Sequence, residues 1–177
     1  MKYRSYQWAP HELDGVVYDL SHLDAFSFDH QIAERLPAPG RTADPVLTVT
    51  VNVAFSHHCF SNGKTSAAFN PSAMYAYAGD PRSFCAERYR LSKRLPVYIK
   101  ELPKSRCFRT VHGNHFVVAE RVDKGGFYTA YFRVRRSRSS APSVDLLVES
   151  AYIKRGRPDR GRAAVAESFG SIVLRNL

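Results

Sequence analysis

PVLTVTVNVAFSHHCF, residues Pro45–Phe60, decides the fold. Read with a period of two, Leu47, Val49, Val51, Val53, Phe55, His57 and Cys59 fall on one face. Thr48, Thr50, Asn52, Ala54, Ser56, His58 and Phe60 fall on the other. β-Branched residues fill the first half, and alternation on a pleated strand separates apolar from polar sets in this way. The stretch therefore reads as a strand at or near the centre of a sheet. It ends in two imidazoles and a thiol, the densest group of reactive side chains in the chain.

Outward from this strand, the N-terminal side offers Asp14-Gly15 as a turn, Val16–Leu20 as a short strand, and a further strand carrying Phe26 and Phe28. The run from Leu36 to Pro45, rich in Pro and Gly, reads as a loop. On the other side, Ser61 to Pro81 has no period and reads as a long excursion over the reactive end. Asp80-Pro81 has the form of a helix start, with Asp as N-cap and Pro at the first helical position. A helical region over about 81–102 follows, kinked or broken at Pro96. His115–Arg121, Phe127–Arg135 and Val144–Ile153 then read as an antiparallel meander, the first connection being Lys124-Gly125-Gly126. The expected architecture is α+β: a mostly antiparallel sheet with one helical region packed on it. Residues 1–162 form one domain, and 163–177 form a tail containing a short helix or strand.

The 177 residues suit a single domain, and 44% hydrophobic content is that of a globular chain. The net charge of +10 favours an acidic partner or a polyanion. The three cysteines, Cys59, Cys85 and Cys107, contain no C-x-x-C pair, which disfavours a disulfide framework and a zinc ribbon. A reducing cytoplasm is the simplest setting. The N-terminus has no apolar signal core, and no run is long enough to span a bilayer, so no membrane partner is expected. There is no Gly-rich phosphate loop, no H-E-x-x-H and no G-x-S-x-G.

The candidate catalytic residues are His57, His58, His112 and His115, because an imidazole neutral near pH 7 is the usual general base. In a cleavage reaction His57 or His58 acts as base and His115 or His112 as acid. The competing assignment has His57 and Cys59 completing the core, His58 facing water, and His112 and His115 flanking an ordinary polar turn. A zinc site would need further ligands from His22, His112, His115 or Cys107, whose spacing shows no convergence. No metal and no cofactor is expected. Tyr131, Arg133, Arg135, Arg136, Lys154, Arg155 and Arg157 are the candidate nucleic-acid contacts, arginine meeting phosphate and tyrosine stacking on a base. The expected function is binding of RNA or single-stranded nucleic acid, with metal-independent cleavage as the enzymatic version. The alternative is a non-enzymatic inhibitor that covers an acidic protein partner.

Two resemblances bear on this. YDLSHL (Tyr18–Leu23), FSHHCF (Phe55–Phe60) and LLVESAYIK (Leu146–Lys154) resemble segments of small bacterial proteins carried in mobile or accessory gene regions. That likeness implies no particular activity. The succession of a helix and a basic, tyrosine-bearing meander over Asp80–Lys154 resembles the RelE-type ribonuclease toxins in architecture. It implies an RNA substrate and no metal.

Overall fold

The computed structural model describes residues 7–33, 46–77, 79–122, 125–155 and 166–177. The expected loop before Pro45 and the basic positions Arg157, Arg160 and Arg162 lie outside the described residues.

The first elements among the described residues are a hairpin of β1 (His11–Leu13) and β2 (Val16–Tyr18). Asp14 and Gly15 both have positive φ, 52° and 74°, as the tight turn between such strands requires. β3 (Phe26–Ala33) pairs antiparallel with β4 (Val46–Phe55). A small sheet follows, built from β5 (Ser61–Gly63), β6 (Met74–Tyr77) and β7 (Asp80–Phe84), with β7 in the middle. Helices α1 (Ala86–Ser92) and α2 (Leu95–Lys100) lead to β8 (Arg106–Arg109). The expected meander is β9 (His115–Val122), β10 (Gly126–Arg136) and β11 (Ser143–Arg155), antiparallel throughout. β12 (Ala166–Ser168) and α3 (Phe169–Leu174) end the chain.

The main sheet has the order β12-β8-β9-β10-β11-β4-β3. β4 is thus one strand from the edge, and β10 occupies the centre. The sheet is mixed: β4 runs parallel to β11, Thr50 beside Ser143 through Phe55 beside Val148. Every other neighbouring pair is antiparallel. The architecture is α+β and mostly strand. The apolar face of β4 is buried at Val49, Val51, Val53 and Phe55, and Asn52 and Ala54 on the other face are covered as well. The apolar face shares one core with Leu146 and Val148 of β11, Phe132 and Val134 of β10, and Leu95 and Ile99 of α2.

Two sequence expectations are corrected. The ribbon does not continue to Phe60: β4 stops at Phe55, and His57–Cys59 form one 3-10 turn. Ser56 causes the change, its hydroxyl accepting a hydrogen bond from the backbone N–H of His58 at 3.2 Å. His57 and Cys59 therefore do not extend the apolar face. The helical region does not begin at Pro81 either. Asp80–Phe84 is a strand, and Cys85 is the N-cap of α1. Pairing with β5 and β6 on both sides outweighs the local preference of Asp-Pro for a helix start. Pro81 is tolerated because it is opposed by β6 alone, β5 reaching only to Arg82.

The C-terminal residues are part of the core. β12 pairs with β8, and Phe169, Ile172 and Val173 are fully buried. Phe169 stacks near Phe28 at 6.5 Å and lies edge-on to Phe132 at 6.5 Å.

Candidate functional site

β11 is longer than the strand beside it. Once β4 ends, the His57–Cys59 turn takes the place next to the second half of β11, and the Ser56 N–H still bonds to the Val148 carbonyl at 2.9 Å. Cys59 turns inward and is fully buried, its thiol pushed up to about 12 by burial. His58 faces the polar side of the sheet. Arg88 of α1 pins the turn, donating to the carbonyls of His58 (3.0 Å) and Ser61 (2.8 Å).

A second loop reaches the same place. Thr110–Asn114 joins β8 to β9, closed by the Thr110 N–H on the Asn114 carbonyl at 2.8 Å. Gly113 makes the bend possible with φ +79°, a conformation that other residues rarely adopt. The turn carries His112 and Asn114 to the mouth of a hollow of about 540 Å³. His58, Thr110, His112, Asn114, Tyr131, Glu149 and Tyr152 line it, with Ser56, Leu147 and Ser150.

Glu149 reaches the hollow through a β-bulge. Tyr131 is opposite Ser150 and Phe132 is opposite Val148, so Glu149 is the extra residue of β11. A bulge re-aims a side chain in this way and often stands beside a functional site. The Glu149 carboxylate accepts from Asn114 Nδ2 at 2.7 Å and from Arg133 Nε at 2.9 Å. Thr110 extends the chain by a hydrogen bond to Asn114. Tyr131 and Tyr152 stack across the floor, ring centroids 5.3 Å apart and planes 14° from parallel. Burial raises the Tyr131 phenol further above its usual value, so it stays neutral. The Arg88 guanidinium lies over the Tyr152 ring at 5.2 Å.

Behind His58 lies Asp80. One carboxylate oxygen is 3.2 Å from Nε2 of His57, 3.2 Å from Nε2 of His58 and 3.5 Å from Nη1 of Arg82. Burial opposes ionisation of Asp80, but the hydrogen bonds from both histidines and the Arg82 charge hold it below the usual carboxylate value. Burial is the largest cause holding His57 and His58 below the usual histidine value. Among the described residues, His57, His58 and Asp80 are the one group of three His, Cys, Asp or Glu side chains placed to hold a metal ion, their donor atoms within 4.8 Å of one another.

The structure brings two of the four candidate histidines to the hollow, His58 and His112. His57 sits behind, sharing Asp80. His115 is removed from the pair: it lies on the opposite face, stacked on Phe132 at 5.8 Å, with neither ring nitrogen hydrogen-bonded. Strand alternation explains this, because His115 and Phe116 point to opposite sides of β9 and Phe116 takes the side of Tyr131. Tyr131 is half-buried in the hollow rather than exposed on an open face. Arg133 is paired with Glu149 rather than waiting for a phosphate. Arg135 and Arg136 are exposed on β10 beside the start of β11, whereas Lys154 and Arg155 pair with the start of β10. At about 3.3 Å per residue the two groups are roughly 30 Å apart and do not form one patch.

Asp80, Tyr152, Asn114 and Glu149 were not singled out by the sequence. In sequence Asp80 has the form of a helix cap, and VES gives no sign of a bulge. A family model described as the YjaZ family matches residues 10–176. No curated protein and no solved structure matches the chain.

Proposed function

The chain belongs to the YjaZ family, and from that premise, which carries no reaction with it, we propose that the hollow binds single-stranded RNA and cleaves it by acid–base chemistry. The observation that supports this best is the meeting of His58 and His112, from two separate turns, above a stacked tyrosine pair. Two imidazoles lining one cavity suit a reaction in which one proton is taken and another given.

Ionised Asp80 accepts at Nε2 of His58, so that nitrogen carries the proton and Nδ1 carries the lone pair. In the proposed reaction His58 removes the proton of a ribose 2′-hydroxyl. The 2′-oxygen attacks the adjacent phosphorus, the bond to the 5′-oxygen breaks, and His112 in its protonated form supplies the leaving oxygen with a proton. The products are a 2′,3′-cyclic phosphate and a free 5′-hydroxyl. Tyr131 and Tyr152 offer ring surface to a flanking base, where stacking contributes about 1–3 kcal/mol. The +10 net charge raises the local concentration of a polyanion, and exposed Arg135 stands further along β10 on the face that carries Tyr131.

The test is a single-stranded RNA oligonucleotide of mixed sequence with the full chain. His58→Ala and His112→Ala are each expected to lower cleavage by about 10²–10⁴-fold, the usual contribution of a positioned acid or base. RNA affinity, followed by fluorescence anisotropy, should change little in both. Absence of salt-dependent RNA binding by the unaltered chain overturns the proposal. Binding lost on Arg135→Glu while neither histidine matters to any cleavage supports a binding protein without catalysis.

A further inference from the structure

We propose that His57, His58 and Asp80 form a site for one divalent transition-metal ion of the zinc type, and that occupancy of this site switches the hollow off. The geometry already fits. In tetrahedral zinc, nitrogen and oxygen donors lie about 2.0–2.2 Å from the ion, so neighbouring donors are separated by about 3.3–3.5 Å. Both imidazole-to-carboxylate separations are 3.2 Å. All three donor atoms fall within 4.8 Å of one another, so a small closing of the two imidazoles completes three corners of the tetrahedron. The fourth is left to water. Two imidazoles and one carboxylate suit zinc, cobalt and nickel better than calcium or magnesium, which prefer oxygen alone.

The surroundings favour entry of an ion. His57 is 12% exposed, His58 37% and Asp80 48%, a path from solvent to the inner ligand. An imidazole binds a metal ion in its neutral form. The ring proton only changes nitrogen, from Nε2 to Nδ1. Arg82 is the opposing feature, with Nη1 3.5 Å from the same carboxylate oxygen. It is held by Ser61 through Nε at 2.8 Å and Nη2 at 3.2 Å, so it weakens the site without filling it.

The consequence for the hollow rests on the RNA-cleavage reading. A metal on Nε2 of His58 moves the ring proton to Nδ1 and removes the lone pair that would act as base. Zinc then inhibits cleavage instead of supporting it.

Equilibrium dialysis of the full chain against zinc, with no RNA present, tests the site by itself. One equivalent is expected, lost in His57→Ala and in Asp80→Asn and kept in His112→Ala. Cobalt in place of zinc should give the intense visible absorption of a tetrahedral ion, absent in Asp80→Asn. Circular dichroism separates loss of the site from loss of the fold, and half-exposed Asp80 makes Asp80→Asn the variant expected to fold. No bound equivalent in the unaltered chain, or one that survives both substitutions, overturns the site. With the site present, zinc should lower RNA cleavage in proportion to occupancy and a chelator should restore it. Cleavage that persists at full occupancy overturns the switch alone. A chain that binds zinc and never cleaves RNA overturns the cleavage reading and leaves the metal site standing.

Discussion

Asp80 and His58, 22 residues apart in sequence, are joined by a 3.2 Å contact between Oδ2 and Nε2. The pairing of β7 with β5 brings the other end of β7 to the turn, Phe84 lying beside Ser61, so Asp80 is joined to the histidines through side chains alone. A carboxylate behind an imidazole fixes its tautomer and its orientation.

Removing that charge tests the contact. Asp80→Asn keeps the shape and loses the acceptor strength. Cleavage of RNA should fall by about 10- to 100-fold, the range for loss of an orienting partner. Thermal stability should change little, because the side chain is 48% exposed. Single-turnover rates with unaltered RNA affinity are the measurement. A large loss of stability would mean that Asp80 is holding the small sheet together instead.

The tyrosine pair makes a separate prediction. Tyr152→Leu removes one partner of the 5.3 Å stack and the ring beneath Arg88. RNA affinity should weaken by about 1–3 kcal/mol, roughly 5- to 150-fold, if a base stacks there. The salt dependence should keep its slope, since no phosphate contact is lost. Titrations at two salt concentrations separate these effects.

Much of the scaffold could be read from residue type and spacing, and much of the site could not. The period-two spacing of Val49, Val51, Val53 and Phe55 marks β4 as a strand, although Asn52 and Ala54 on its other face are buried too. The Gly-rich turn before Phe127 marks the meander. The parallel pairing of β4 with β11 is set by everything folded between them, and no local signal carries it. The end of β4 turns on one hydroxyl, that of Ser56, against an otherwise continuous alternation. Glu149 enters the hollow only because β11 has one residue more than its partner there, a property of two strands together. His58 and His112 were visible as candidates from their chemistry. That they meet, and that His115 does not join them, follows from turn positions and strand phase.

The cysteines differ in a way a thiol reagent can count. Burial pushes the thiols of Cys59 and Cys107 up to about 12, and both are buried. Cys85, half-buried at the start of α1, is the accessible one of the three. A native chain should therefore react quickly at a single thiol, and Cys85→Ser should abolish that phase. Denaturant should expose all three.

His115 gives stability a pH dependence. Burial holds it below the usual histidine value in the folded chain; Glu167 opposes this, and Arg175 and Arg109 add to it. The unfolded chain, with a value near 6.5, then binds more protons than the folded one as pH falls below about 7. Stability is thus complete above that range and declines on acidification, by at most about 1.4 kcal/mol per pH unit for one such proton. The decline from this residue ends once pH passes below its folded value. Denaturant unfolding between pH 7.5 and 5.5 should show the slope, and His115→Phe should reduce it by one residue's share, since burial lowers His57 and His58 in the same direction. Phenylalanine keeps the stacking on Phe132 and removes two buried nitrogens without hydrogen-bond partners.

Phe169 tests whether the last helix belongs to the core. Its ring is fully buried between Phe28 and Phe132, which stand on β3 and β10. It therefore ties α3 to the central strand and to one edge of the main sheet. Phe169→Ala removes those contacts and leaves a cavity that the short helix cannot close by itself. The expected loss is about 3–5 kcal/mol. That is a large part of the roughly 5–15 kcal/mol that holds a domain folded. Urea unfolding should show one transition with a lowered midpoint and an unchanged slope, because the helix and sheet share a core and unfold together. A loss below about 1 kcal/mol would mean that α3 detaches without disturbing the sheet.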